Sequence, residues 1–576
     1  MSKGAISMKL ANPISALLLV LMVLSGCSSP AGPQGDISSQ LPPSTISRTL
    51  VIAIRVEPDS IATRRLGQLG VSITGLKAMF NALIAYIDES GVAHPNIVES
   101  LPVLNSDSWR VFPDGRMETT YRLKGGLRWH DGTAASPDDF RLSWQVHTKP
   151  DYGLASAIPF QSMEEVVPID ERTVVIRWKA SYPDAGVLSA TNDEFPILPA
   201  HLLRAHFEQL DAEAFANLPF WNREYIGLGP YRIDRWDAGS FLEGAAFDAY
   251  SLGRPKIARI RVVFIPDLNT TLANLLAGQV DIASENTLGL AQVDIIRREA
   301  ADRLALLPAR GGAWRATLFQ LRPEYVSPRA LLDHRLREAL ARTVDKDAIN
   351  ETVYLGTLAP ADFMVHPNSR FGPAAERGTV KYPLDPRRSE QLMNDAGFSR
   401  GGDGFYAGAV DGRFTVTLKS TQSVDTAAFT AMASSWRQLG FDVQESFIPA
   451  AEGLNAEVAN TFPGMFTRAT FSNLTTLVAF TTAGIGRPEN RWTGTNRGGW
   501  SNADYDRLAG AFTTTLDAQA RADQVTQMAR ILTEDLPFVS LFFTGQPIPY
   551  PVGLSGLRST SDESNYAFSV QEWEFR

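Results

Sequence analysis

Phe414-Thr415-Val416-Thr417-Leu418-Lys419 and Phe441-Asp442-Val443-Gln444-Glu445-Ser446-Phe447 flank the segment Val424–Leu439. Each flank reads as a strand. Between them Val424, Ala428, Ala431, Ser435 and Leu439 form a stripe at helical spacing, and Gly440 stops the helix. A β-α-β unit of about 34 residues is therefore expected, which implies a sheet covered by helices.

The same alternation runs outward from this unit. Strands are expected at Arg48–Val56, Thr119–Leu123, Arg172–Trp178 and Arg259–Ile265, with Val174, Ile176 and Trp178 on one side of the third. Thr270–Ala277 reads as a helix with Leu272, Leu275 and Leu276 at helical spacing, ended by Gly278. Asp333 caps a helix to about Val344. Asp385 caps another, with Pro386 in its first position and Gly397 past its end. Ser501 and Asp504 form a capping-box pattern, and helix-like sequence continues to Leu532, with Pro537 interrupting. The length of 576 residues suggests two to four domains. No internal repeat is evident.

The N-terminus reads as a targeting segment. Lys3 and Lys9 precede an uncharged run from Ala11 to Gly26, which is short for a spanning helix. It closes on Leu24-Ser25-Gly26-Cys27, which resembles a bacterial lipobox. The resemblance implies a signal peptide at 1–26, cleaved before Cys27, and a lipid on that thiol. Cys27 is the single cysteine, so an internal disulfide is excluded. Residues 27–47, rich in Ser, Pro and Gly, suit a flexible lipidated tether. The formal charge is −9. Removing Lys3 and Lys9 leaves 52 basic against 63 acidic residues, or −11, which argues against nucleic acid as a partner.

Enzyme signatures are missing. There is no phosphate-binding Gly-x-x-x-x-Gly-Lys-Ser/Thr loop, no Gly-x-Gly-x-x-Gly opening a βαβ unit, no His-Glu-x-x-His and no Gly-x-Ser-x-Gly. His201 and His206, the closest histidine pair, do not share a helix face. No catalytic residue, metal or cofactor is expected. A turn is the preferred reading of His130-Asp131-Gly132-Thr133, over a catalytic one that lacks a nucleophile.

Seven blocks in order resemble the extracytoplasmic solute-binding proteins of ABC importers, in the dipeptide/oligopeptide/nickel-binding family (family 5). They are Pro95–Leu101 (Pro-Asn-Ile-Val-Glu-Ser-Leu), Tyr121–Phe140, Ile197–Leu202, Gly227-Leu228-Gly229-Pro230-Tyr231, Pro266–Ala283, Leu336–Ile349 and Tyr505–Leu508. Tyr121–Phe140, Tyr-Arg-Leu-Lys-Gly-Gly-Leu-Arg-Trp-His-Asp-Gly-Thr-Ala-Ala-Ser-Pro-Asp-Asp-Phe, is the most diagnostic. The resemblance implies an α/β, two-lobed periplasmic-binding-protein fold (class II) with an additional subdomain in the first lobe. The first lobe would hold 48–78, 181–305 and 541–576, the subdomain 79–180, and the second lobe 306–540. Two strands, near Leu304–Leu307 and Val539–Phe543, would form the hinge. A monomer on the periplasmic or cell-surface side would carry a peptide or similar solute to a membrane permease served by a separate ATPase. A non-peptide opine, oligosaccharide or carboxylated solute is the alternative ligand, and a cell-envelope hydrolase the reading of another class.

Two departures stand out: Leu228 replaces the family's usual Thr, and Gln320 in Phe319-Gln320-Leu321-Arg322-Pro323 replaces an Asn. Peptide-binding members meet the peptide amine with an Asp three residues after a Trp. Here the third residue after Trp492 is Thr495, and Arg487, Arg491 and Arg497 crowd the loop. These arginines either meet a carboxylate or phosphate or form a solvated loop. Trp314 and Trp492 are candidates to cover an apolar ligand part, with core packing as the alternative. Asn81 is a further candidate, with a local turn or cap as the alternative. Glu89 and Asp425 are acids able to meet an amine, with nothing in their positions to favour either.

Overall fold

The computed structural model describes residues 48–576 except 63–65, 67–73, 153–158, 189–194, 285–286, 309–311, 422–425, 450–451, 453–454, 546 and 560–564. The expected signal peptide, the tether with Cys27, Val424 and Asp425 lie outside the described residues.

The β-α-β unit forms as strand Thr415–Thr421, helix Thr426–Gln438 and strand Asp442–Ile448. The strands pair in parallel, Thr415 opposite Asp442 through Thr421 opposite Ile448, an arrangement that requires a crossover. The helix is rotated from the expected stripe. Ala428, Phe429, Met432, Ala433 and Trp436 are buried, whereas Ala431, Ser435 and Leu439 are only half-buried. The expected stripe left out the largest apolar residues of the helix, Phe429, Met432 and Trp436. Burying Phe429, Met432 and Trp436 removes more apolar surface from water, and that sets the rotation. Trp436 Nε1 donates to the Leu340 carbonyl at 3.0 Å, so its polar atom is satisfied inside.

This unit lies in a six-stranded mixed sheet ordered Ala359–Pro360, Phe538–Thr544, Ala313–Phe319, Met465–Phe471, Thr415–Thr421, Asp442–Ile448. Apolar cores cover both faces. One contains Leu336, Val416, Leu418 and Trp436, the other Trp314, Leu318, Phe466 and Phe538. This is the second lobe. The first is built on a five-stranded sheet ordered Ile282–Ala283, Leu50–Ile54, Arg259–Phe264, Phe241–Ala246, Tyr231–Asp237. Its core holds Ile52, Tyr231, Val262 and Trp573. The additional subdomain has a four-stranded antiparallel sheet, Trp109–Val111, Met117–Arg122, Thr173–Trp178, Met163–Pro168. The alternation expected there holds, with Val174, Ile176 and Trp178 all buried in its core.

Leu304–Leu307 pairs antiparallel with Ile548–Pro551. Leu541–Thr544, expected in the first lobe, are hydrogen-bonded into the six-stranded sheet, because the buried run Phe538–Phe543 continues as one strand.

Local signals account for the helix ends. Asp267, Asp333 and Asp385 each accept a backbone N–H at the start of their helices. Gly397 has φ +85°, a left-handed geometry suited to a helix exit. The long C-terminal helix differs from expectation. Asn502, not Ser501, caps it, and it divides into Ala503–Phe512 and Ala518–Asp535. Asp517 caps the second piece by accepting from Ala520 N–H, which offers the backbone a fresh start after the Thr513–Thr515 run.

The diagnostic stretch is a packing device. Trp129 and Thr133 close the turn by a backbone bond of 2.8 Å, with Gly132 at φ +89°. His130 Nδ1 accepts from Gly227 N–H at 3.1 Å, and Nε2–H donates to the Gly229 carbonyl at 3.0 Å. Burial pushes this imidazole down to about 4, so it is neutral. Asp139 accepts from Ser136 N–H, Trp129 Nε1 and Ala200 N–H, tying the turn to two helix starts. Gly229 is required because a Cβ there would lie 2.2 Å from the Phe80 carbonyl carbon. Leu228, the departure from Thr, is buried in the subdomain core.

Candidate functional site

The register between Ala313–Phe319 and Met465–Phe471 sets Trp314 opposite Thr470, Ala316 opposite Arg468 and Leu318 opposite Phe466. Directly opposed residues share a face, so Arg468 projects from the row that holds the core residues Trp314, Ala316, Leu318 and Phe466. Beside it lies a cavity of about 120 Å³, room for several waters or a small polar group. Its apolar wall is Trp314, Ala316, Leu318 and Phe480, and Arg468, Thr495 and Arg497 supply the polar groups.

The two guanidinium groups are close enough to repel. Burial, reinforced by the neighbouring positive charge of Arg497, pushes Arg468 down to about 9. It therefore stays charged at neutral pH. Burial alone pushes Arg497 down. Neither guanidinium pairs with a carboxylate among the described residues. Arg497 Nε is buried with no hydrogen-bond partner.

The loop carrying Arg497 is held from beneath. Arg322 donates to the carbonyls of Gly486 (2.9 Å), Arg497 (3.1 Å) and Asn460. Gln320, the other departure from the family, orients it. The Gln320 amide donates to the Asn460 and Phe462 carbonyls at 3.1 and 2.9 Å, and its oxygen accepts from Arg322 N and Nε, both at 3.2 Å. Asn496 closes the loop by donating to the Thr481 and Trp500 carbonyls and accepting from Trp500 N–H. Gly494 has φ +145°, and a Cβ there would sit 2.1 Å from the Gly484 carbonyl oxygen.

Of the residues expected at the site, Trp314 and Arg497 meet at this cavity. Trp314 is also a core residue, edge-on to Phe538 at 4.7 Å, with Nε1 donating to Ser540 Oγ at 3.1 Å. Arg487 and Arg491 are exposed. Trp492 packs edge-on to Tyr325 at 6.2 Å, and Asn460 holds its carbonyl at 3.0 Å. Asn81 lies in the other lobe. Its amide donates to the Ile61 and Lys77 carbonyls, both at 2.7 Å, and its oxygen accepts from Tyr225 Oη. Glu89 lies 3.8 Å from Arg558. Arg468 and Asp184 had no place in the sequence reading, and Arg322 entered it only as part of the block Phe319–Pro323. An Arg in the alternating run Met465-Phe466-Thr467-Arg468-Ala469-Thr470-Phe471 was the available signal for the first.

A second arginine cluster contains its own acid. Asp184 Oδ1 lies 2.9 Å from Arg370 and 3.1 Å from Arg521, and Oδ2 accepts from Arg521 at 3.3 Å. Asp184 belongs to the segment that supplies Tyr182, Ala185 and Leu188 to the subdomain core, and Arg521 to helix Ala518–Asp535 of the second lobe. Burial pushes the Asp184 carboxyl up, but the two guanidinium charges outweigh it and hold it below the ordinary carboxylate range.

Among the described residues no group of three or more His, Cys, Asp or Glu is placed to hold a metal ion, and no helix is long and apolar enough to cross a membrane. Residues 101–485 match the family model "Bacterial extracellular solute-binding proteins, family 5 Middle". The oligopeptide-binding protein AppA of Bacillus subtilis is 21% identical over 97% of both chains. The fold matches NikZ from Campylobacter jejuni, solved with Ni(L-His), at a TM-score of 0.69 and 20% identity over 91% of this chain and 99% of that one. It also matches the oligopeptide-binding protein of Thermus thermophilus, solved with a pentapeptide, at a TM-score of 0.66 and 19% identity over 92% and 96%. The chain belongs to family 5 of the bacterial extracellular solute-binding proteins. It is the substrate-binding component of an ABC importer, not an enzyme, and takes its solute between two lobes.

Proposed function

We propose that the solute is a peptide or a similar small molecule, and that the loaded protein docks on a membrane permease whose separate ATPase subunit hydrolyses ATP. Cys27 carries the lipid that holds this monomer at the membrane, and 27–47 is its tether. The lobes divide between Leu307 and Ala313 and between Thr544 and Ile548, and Asn81 and Trp492 approach the solute from opposite lobes. The observation that carries this reading is the antiparallel pair Leu304–Leu307 with Ile548–Pro551, next to both crossings of the chain. A strand pair at the crossings suits hinge closure, in which a solute touching both lobes shifts the population to the closed form by its differential affinity. A carboxylated solute other than a peptide is the second reading, favoured by Thr495, which brings a hydroxyl and no carboxylate to the cavity. Native mass spectrometry of the full-length chain, before and after denaturation, tests the reading. A small mass lost on unfolding is expected, and a ladder of peptide masses identifies a peptide receptor. Chemical turnover of the released solute by the protein would overturn it.

A further inference from the structure

We propose that the cavity between Arg468 and Arg497 is an oxyanion subsite, which takes a carboxylate or phosphate of the transported solute against the apolar wall of Trp314 and Leu318. This rests on the reading of the chain as a solute receptor, and it names the charge that the solute carries.

Three observations converge. Two guanidinium groups of the same sign line one small cavity. No carboxylate of the described chain pairs with either, and Arg497 Nε is buried without a partner. Elsewhere the chain supplies carbonyl oxygens to two buried arginines, and a carboxylate to a third, Arg521, whose Nε is likewise without a partner. Arg337 donates to the carbonyls of Leu536, Leu331, Leu332 and Asp535 at 2.9–3.1 Å. Arg322 has three loop carbonyls, and Arg521 has Asp184. Arg468 Nε reaches the Ala469 carbonyl at 3.5 Å, and a bound anion would supply the counter-charge that the described residues do not.

The chemistry favours an oxyanion. A guanidinium presents donors in a planar fork that matches carboxylate or phosphate oxygens, and such charge-assisted bonds are among the stronger ones. Two like charges held apart from solvent disfavour the empty site, so anion binding relieves both desolvation and repulsion. The position is also prepared in advance. Arg322 grips the Arg497 carbonyl at 3.1 Å, and the sheet holds Arg468 in register opposite Ala316. Ordering costs on binding are correspondingly low.

The test uses the full-length chain at low salt, with three probes: N-acetyl-trialanine with a free carboxylate, the same peptide as its C-terminal amide, and inorganic phosphate. Binding is read by calorimetry and thermal shift on wild type, Arg468→Met and Arg497→Met. The acid is expected to bind at least about ten-fold more tightly than the amide, as loss of charged hydrogen bonds implies. Both variants should lose that preference. Without ligand, Arg468→Met should melt at a higher temperature than wild type, because an unpaired buried charge is removed. A structural arginine would give the reverse, and a lowered melting temperature in both variants overturns the proposal. Equal binding of acid and amide overturns it while leaving the receptor reading intact. Phosphate binding that is lost in the variants, with neither peptide bound, supports the subsite and counts against a peptide solute. No shift with any probe overturns the subsite.

Discussion

Two arginine clusters divide this molecule's electrostatics. At Asp184, Arg370 and Arg521 the chain supplies both signs, within 3.1 Å and with Arg521 only 6% exposed. At Arg468 and Arg497 it supplies one sign and a cavity of about 120 Å³. Burial disfavours the charged form in both places. Only the first cluster recovers that penalty internally, so it acts as a structural tie between the subdomain and the second lobe. The second leaves the penalty standing, which is how a binding site differs from a salt bridge built of the same residue type.

The contrast breaks most readily at the complete cluster. Asp184→Asn leaves two arginines facing a neutral amide, and a loss of about 3–5 kcal/mol in urea unfolding is expected, the usual penalty for one-sided removal of a buried pair. Arg468→Met should move stability the opposite way. If both variants shift in the same direction, the two clusters are not different in kind. Acidity sharpens the point. The Asp184 carboxyl is held below its unfolded value, so its contribution is present above the unfolded pKa and lost as pH falls through the folded one. Asp184→Asn should therefore be the less acid-sensitive protein, as measured by melting temperature against pH.

His130 offers a control in which backbone rather than charge satisfies a buried ionisable group. Its folded value of about 4 lies below the ordinary 6.5. The unfolded chain thus binds a proton that the folded one refuses, and stability falls as pH drops from 6.5 toward 4, by roughly 3 kcal/mol for a shift of this size. His130→Gln should flatten that interval of the pH–stability curve while leaving the preference for acid over amide unchanged.

Smaller effects test how the incomplete cluster is positioned. Gly494→Ala puts a Cβ 2.1 Å from the Gly484 carbonyl at a φ of +145°, a strain of about 1–3 kcal/mol. Calorimetry should show weaker anion binding from displacement of the Arg497 loop. Gln320→Asn restores the family's usual residue but shortens the reach to the Asn460 and Phe462 carbonyls. A loss of about 1 kcal/mol per hydrogen bond is expected in unfolding, with the acid preference reduced less than by Arg497→Met.

The β-α-β unit, the Asp caps and the strand Arg172–Trp178 were legible in the sequence because their signals are local. The face of helix Thr426–Gln438 was read one position away, since the stripe through Ala428, Ala431, Ser435 and Leu439 leaves out the larger Phe429, Met432 and Trp436. The division at Thr513–Thr515 was missed because the helical composition continues across it. At the site, Arg497 and Trp314 were visible as an arginine-rich loop and a tryptophan near a crossover. Arg468 was not, because its facing depends on register with a strand some 150 residues away in sequence. The Asp184–Arg521 pair spans 337 residues and leaves no local pattern at all.

The most direct measurement is a crystal structure of the full-length chain with the solute that co-purifies with it. An oxyanion of that solute is expected between Arg468 and Arg497, hydrogen-bonded to both guanidinium groups beside Trp314. A solute bound elsewhere with a carboxylate of the chain itself between those arginines, or a cationic or neutral group in their cavity, would contradict it.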